Sequence, residues 1–148
     1  MLRINDTEDR KLIAKAAGVS AQATDPVIVR AEQNVCLGGF MFTNFTGNGG
    51  SIWGSAAGFQ KNWVNRELLV FMFRYIFGQL ECRALFTRVA VDNQKSLDFN
   101  AKLGFNKLFL LEHMYPDGRG QWIFRMLPEE CKWLSTGKFL PAMTTTFH

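Results

Sequence analysis

The residues best placed to do chemistry cluster in one stretch, Val89-Ala90-Val91-Asp92-Asn93 followed by Gln94 to Phe105. A run of β-formers ends at Asp92 and Asn93, both good helix N-caps. An amphipathic decamer follows, and Gly104 stands where a helix C-terminus takes a left-handed residue. An amide such as that of Asn100 can donate a hydrogen bond there but cannot supply a proton at neutral pH. Elsewhere His113 is an ionisable candidate, although a lone His in a strand is more often a surface or core-edge residue. Cys36, Cys82 and Cys131 are odd in number and widely spaced, with no CxxC, and read as reduced, mostly buried thiols. The sequence contains no Ser-His-Asp order, Walker loop or metal-ligand spacing.

These residues need a frame. Thr7 to Ala17 reads as a first helix, capped by Thr7 or Asp6, with Glu8 and Asp9 at its positive end and Gly18 closing it. From Val27 the apolar period becomes two. Val27 to Glu32 and Val35 to Phe45 are strands about a Gln33-Asn34 turn, and Gly38-Gly39 implies a bulge or a close backbone approach. Ser51 to Ala57 is a third strand, completing a meander. Arg66 to Leu80 is a helix with almost no polar face, which must be covered on most sides. Ala84 to Val91 is the strand that leads into Asn93. Asn106 to Tyr115 and Gln121 to Met126 pair around Pro116-Asp117-Gly118-Arg119, a hairpin signal. Strands early and late with helices between predict a mixed α/β (α+β) fold on one central sheet. Residues 1–126 form the domain, and 127–148 a tail that packs or frays.

The 148 residues suffice for one domain with a real core; 47% are hydrophobic and 20% charged, which excludes wholesale disorder. No apolar run is long enough to span a bilayer. The N-terminus lacks a signal-peptide core, so an intracellular, cytoplasmic protein is expected. The formal charge is +4, from scattered basic residues. That disfavours a nucleic-acid surface and suits a mildly cationic face for an anionic small molecule. Phe40, Phe42, Phe45, Trp53, Phe59, Phe71, Phe73 and Phe77 fit core packing better than a base-stacking platform.

The element order, with the pattern Asn93, Ser96, Lys102, Leu103, Gly104, Phe105, resembles the GNAT superfamily of acyl-CoA-dependent N-acetyltransferases over roughly residues 27–126. More narrowly, it is similar to short acetyltransferase-like proteins of tailed phages. The resemblance implies a central, mostly antiparallel sheet with a V-shaped splay between the strands at 51–57 and 84–91, and helices on both sides. Acetyl-CoA would lie in the splay. Its pantetheine would pair with the first strand near Ala57, and its pyrophosphate would rest on the helix start at Gln60, Lys61, Asn62, Trp63, Val64, Asn65 and Arg66. Asn93, Ser96 and Phe99 would complete the cofactor side, though Asn93 and Ser96 also suit a plain cap and first helical turn.

Two departures stand out. Trp63 and Asn65 occupy positions where small residues are expected, and Lys61 and Arg66 either compensate as phosphate partners or are simply solvated charges. Asn100 stands where many members carry a proton-donating Tyr. Ser51 and Ser55 are the polar side chains of the gap strand, leaving Glu32, Glu112 and His113 as ionisable candidates. The resemblance thus implies an expected catalytic set of Asn100, Ser55 and His113, with an amine acceptor entering beside Glu32, Phe40 and the hairpin. Thioester aminolysis can run largely on positioning and carbonyl polarisation. The expected function is acetyl transfer from acetyl-CoA to an amine. The alternatives are an inactive GNAT-like scaffold, such as a phage virion or host-interaction component, and an acyl-CoA sensor. A homodimer is a further expectation, and a membrane association is not.

Overall fold

The computed structural model describes residues 1–134. One seven-stranded sheet runs through the molecule in the order β1-β2-β3-β4-β5-β7-β6. Its strands are β1 (Leu2–Ile4), β2 (Val27–Glu32), β3 (Val35–Thr43), β4 (Ser51–Gly58), β5 (Ala84–Ala90), β6 (Asn106–Leu111) and β7 (Gln121–Met126). Every neighbouring pair is antiparallel except β4 and β5.

Helix α1 (Thr7–Ala17) starts where the Asp6 carboxylate accepts the Asp9 N–H at 2.9 Å, and it ends at the left-handed Gly18. Its stripe Ile13-Ala14 packs on Val27, Val29, Cys36 and Met41, the alternate residues on one face of β2 and β3. Arg3 on β1 grips Asp9 with two hydrogen bonds of 2.7 Å, fixing the helix against the sheet edge.

The opposite face is covered by α2 (Arg66–Arg74), α3 (Gln94–Leu103) and the segment after β7. Every α2 residue from Leu68 to Arg74 is buried, as an all-round apolar helix requires. Ile28, Phe40, Phe42, Ile52, Leu85 and Phe124 rise from the sheet to meet it. Trp133, after a short 3-10 turn at Pro128–Glu130, stacks on Phe73 and donates its indole N–H to the Leu103 carbonyl. Trp133 thus holds the segment after β7 against the domain, and residues 135–148 of the expected tail lie outside the described part.

The expected boundaries shift in several places. The helix expected to run from Arg66 to Leu80 is α-helical only to Arg74 and continues as a wider π turn over Tyr75–Gln79. Strands β3 and β6 stop at Thr43 and Leu111, short of the expected Phe45 and Tyr115, because the following residues turn away into loops. Strand β1 was not foreseen, since three residues carry too little periodicity to register. The bulge expected near Gly38-Gly39 is present: the β2–β3 register shifts between Arg30 and Ala31, leaving Leu37 unmatched. The three cysteines are free and buried. Burial pushes the thiols of Cys82 and Cys131 up to about 11.

Candidate active site

The parallel ladder between β4 and β5 is only three pairs long: Ser51 with Ala84, Ile52 with Leu85, and Trp53 with Phe86. Beyond it β4 stays with β3, ending in the Gly38–Gly58 pair, while β5 follows β7 out to Ala90 beside Gln121. The sheet therefore splits into two arms, and residues 54–58 of β4 turn an edge without a strand partner toward the gap. A cleft of about 1260 Å³ runs through it and on past the α1–β2 connection and the end of β3. Gly54, Ser55 and Ala56 line one wall, Thr87 to Ala90 the other, and Asn93, Ser96, Phe99 and Asn100 the α3 side.

Helix α3 is tied to both arms. Asn100, only 7% exposed, accepts the Thr87 hydroxyl of β5 at 2.6 Å and donates to the Ser96 carbonyl at 2.8 Å. The preceding residue, Phe99, leans the other way and stacks on Phe40 of β3 at 6.4 Å between ring centroids. Asn93 caps α3 by accepting the Ser96 N–H at 3.2 Å. Both oxygen and nitrogen of the Asn100 amide are thus engaged within the fold.

The loop from β4 to α2 is built around Trp63. Its indole lies flat over the Gly38–Gly58 pair and reaches Phe40 and Phe99 at 5.4 and 5.9 Å. A Cβ added at Gly38 would sit 2.7 Å from the indole, and one at Gly58 closer still. Two glycines side by side on neighbouring strands make the slot, and Trp63 turns inward to fill it rather than outward over the start of α2. Arg30, the β2 neighbour of Gly38, donates to the carbonyls of Asn62 and Trp63 and pins the loop. The N–H groups of Phe59 and Gln60 both donate to the Leu37 carbonyl. Asn65 caps α2 through the Leu68 N–H at 2.8 Å. Val64 packs on the core, Ala57 faces the α1 side, and Gln60, Lys61, Asn62 and Arg66 are exposed.

The cleft brings together Ser55, Asn93, Ser96, Phe99 and Asn100, while Ala57 lies near the end of β4 and residues 60–66 run through the loop beyond it to the first residue of α2. His113 is elsewhere, exposed on a left-handed turn at φ 58°, and neither Glu32 nor Glu112 lines the cleft. Its ionisable lining is Asp25, Tyr75, Arg88 and Tyr115. Arg88 lies 4.3 Å over the Trp53 ring. Tyr115 and its partner Gln121 were not anticipated. Their only sequence signal was nearness to the hairpin turn, because side chains that meet across a long loop leave no periodic trace. No group of three or more His, Cys, Asp or Glu able to hold a metal ion occurs among the described residues.

Acyl-CoA fits what is present. The unpaired β4 edge offers backbone partners for a pantetheine chain, and Ala56 and Gly58 on that edge are exposed. The first residue of α2, Arg66, is an exposed cation at a positive helix end, and the loop before it carries a second, Lys61.

The sheet order, the single parallel junction and the splay define the fold of the GNAT N-acetyltransferases. Solved structures share it. A point mutant of the spermidine N-acetyltransferase SpeG from Vibrio cholerae superposes with TM-score 0.73 at 14% identity, over 93% of this chain and 99% of that one. The acetyltransferase-like yncA from Salmonella typhimurium, solved with its cofactor acetyl-CoA, gives 0.67 at 14% identity, over 89% and 95%. An N-acetyltransferase from Staphylococcus aureus gives 0.67 at 14%, over 86% and 98%. At such identity the likeness establishes the fold alone. No protein-family model matches the sequence, and no curated protein matches it.

Proposed function

We propose that the protein binds acetyl-CoA, or a similar acyl-CoA, in the splay and transfers the acyl group to an amine. The observation that carries this reading is the early end of the β4–β5 ladder, which leaves the β4 edge open to a cleft that also holds the α3 cap residues Asn93 and Ser96. The acyl-CoA supplies an activated thioester. In the transfer an N–C bond forms, the C–S bond breaks, and the proton lost by the amine ends on the thiol.

In this reading the chain's contribution is mainly positional. The free β4 N–H groups hold and polarise the acyl end. Thr87 and Asn100 fix α3 against the β5 arm, and Lys61 and Arg66 meet the phosphates with charge. Proton movement falls to water, because Asn100 can donate a hydrogen bond without giving up a proton. The test is amine-dependent thiol release from acetyl-CoA across a panel of amines, expected to exceed the amine-free rate for at least one acceptor. A second reading, binding without turnover, is favoured by the commitment of both ends of the Asn100 amide within the fold. Acetyl-CoA binding with no thiol release across the panel would select it.

A further inference from the structure

The geometry points to an acceptor-recognition station in the same cleft: the Tyr115–Gln121 pair, which binds an amide group of the acceptor molecule. The inference rests on the acyl-transfer reading for its meaning but not for its observation.

Gln121 opens β7 beside Ala90, at the far end of the β5 arm, and both it and Tyr115 line the cleft. Gln121 is 9% exposed. Its Nε2 donates to the Tyr115 hydroxyl at 2.9 Å, whereas its Oε1 is buried without a hydrogen-bond partner among the described residues. Buried side-chain oxygens are nearly always paired, since the lost water is otherwise uncompensated. Because Gln121 itself lines the cavity, this unpaired oxygen is the atom assigned to a ligand N–H. Having accepted from Gln121, the Tyr115 phenol keeps its own O–H to donate. The pair therefore presents one acceptor and one donor, which matches the N–H and C=O of an amide.

The station is held before any ligand arrives. The Arg119 guanidinium lies 4.5 Å over the Tyr115 ring and is bonded to Asp117 at 2.7 Å and to Asp92 at 3.0 Å. The N–H groups of Met114 and Tyr115 both donate to the Arg119 carbonyl. The charges around it also bear on what binds. Arg88 lines the cleft and Asp25 is the only carboxylate among the described lining residues, while Arg119 behind the tyrosine is already paired with Asp117 and Asp92. A polyamine would find one counter-charge there; a neutral amide carries no charge to balance. The acceptor class is therefore an amine that also bears a carboxamide or peptide group.

The test uses glycylglycinamide, with spermidine as comparison, and needs no acyl donor. In ¹⁵N-resolved spectra the side-chain NH₂ signals of Gln121 should shift saturably with glycylglycinamide and stay in place with spermidine. Gln121→Met and Tyr115→Phe should each weaken binding about tenfold, the loss expected for one or two hydrogen bonds. Gln121→Met should also melt no lower than the parent chain, because it removes a buried unpaired oxygen. Unmoved Gln121 signals at millimolar probe, or full affinity in both variants, would overturn the station. The two readings fail separately. Thiol release with other amines but no Gln121 response rejects the station alone, whereas a Gln121 response without thiol release rejects transfer alone.

Discussion

At the scale of single residues, the chain's departures from its fold relatives have local physical reasons. Trp63 stands where a small residue was expected, and it is accommodated because Gly38 and Gly58 open a slot beneath it. Gly58→Ala should therefore destabilise the fold by about 1–3 kcal/mol, the usual cost of overpacking. The cost should largely vanish in a Trp63→Ala background, read as coupling in a double-mutant denaturation cycle. Additive effects would mean that indole and glycine do not compete for space. Asn100 is a tether rather than a free amide. Asn100→Ala should lose about 1–3 kcal/mol in urea unfolding, because the Thr87 hydroxyl loses its acceptor at a buried site and the side-chain tie to Ser96 goes with it. By the same contacts, Asn100→Tyr would have to displace α3 from β5, so a rise in turnover from that change is not expected.

At the scale of elements, the parts legible in the sequence were those with strong periodicity or chemical punctuation. Helix α1 appears with the bounds read from its cap and glycine, and β2, β5 and α3 within a residue of theirs. Gly38-Gly39 announced the bulge, and the apolar run from Leu68 announced a buried helix. What stayed hidden depended on distant partners. The three-residue β1 exists because β2 pairs with it, and the π turn at Tyr75–Gln79 continues a sequence that still reads as α-helix. The inward turn of Trp63 depends on an arginine thirty-three residues away. The site followed the same rule: α3 was legible because its cap and its C-terminal glycine are local, whereas Tyr115 and Gln121 meet across a loop. The caps offer a check at this scale. Asn65→Ala should cost about 1 kcal/mol of stability, the ordinary value of an N-cap bond, and Asn65→Asp should retain it. No loss on Asn65→Ala would place the start of α2 elsewhere.

At the scale of the whole molecule, stability and function both follow from one sheet that stays closed at one end and opens at the other. The fold buries three thiols. Cys82 and Cys131 ionise near 11 in the fold against an ordinary 9.0, so raising the pH ionises the unfolded chain first. The stabilising difference is fully present below pH 9 and is lost as pH rises from about 9 toward 11, a decline measurable by denaturation at a series of pH values. A Cys82→Ala, Cys131→Ala variant should show a flatter profile there. No helix among the described residues is long and apolar enough to cross a membrane. The open end carries the central claim, that the splay between β4 and β5 receives an acyl-CoA. Thermal unfolding with acetyl-CoA and with desulfo-CoA tests it most directly, since a ligand that binds only the folded chain raises the midpoint. A concentration-dependent rise of several degrees is expected with both ligands, reduced in an Arg66→Ala, Lys61→Ala variant. An unchanged midpoint at millimolar ligand would contradict it.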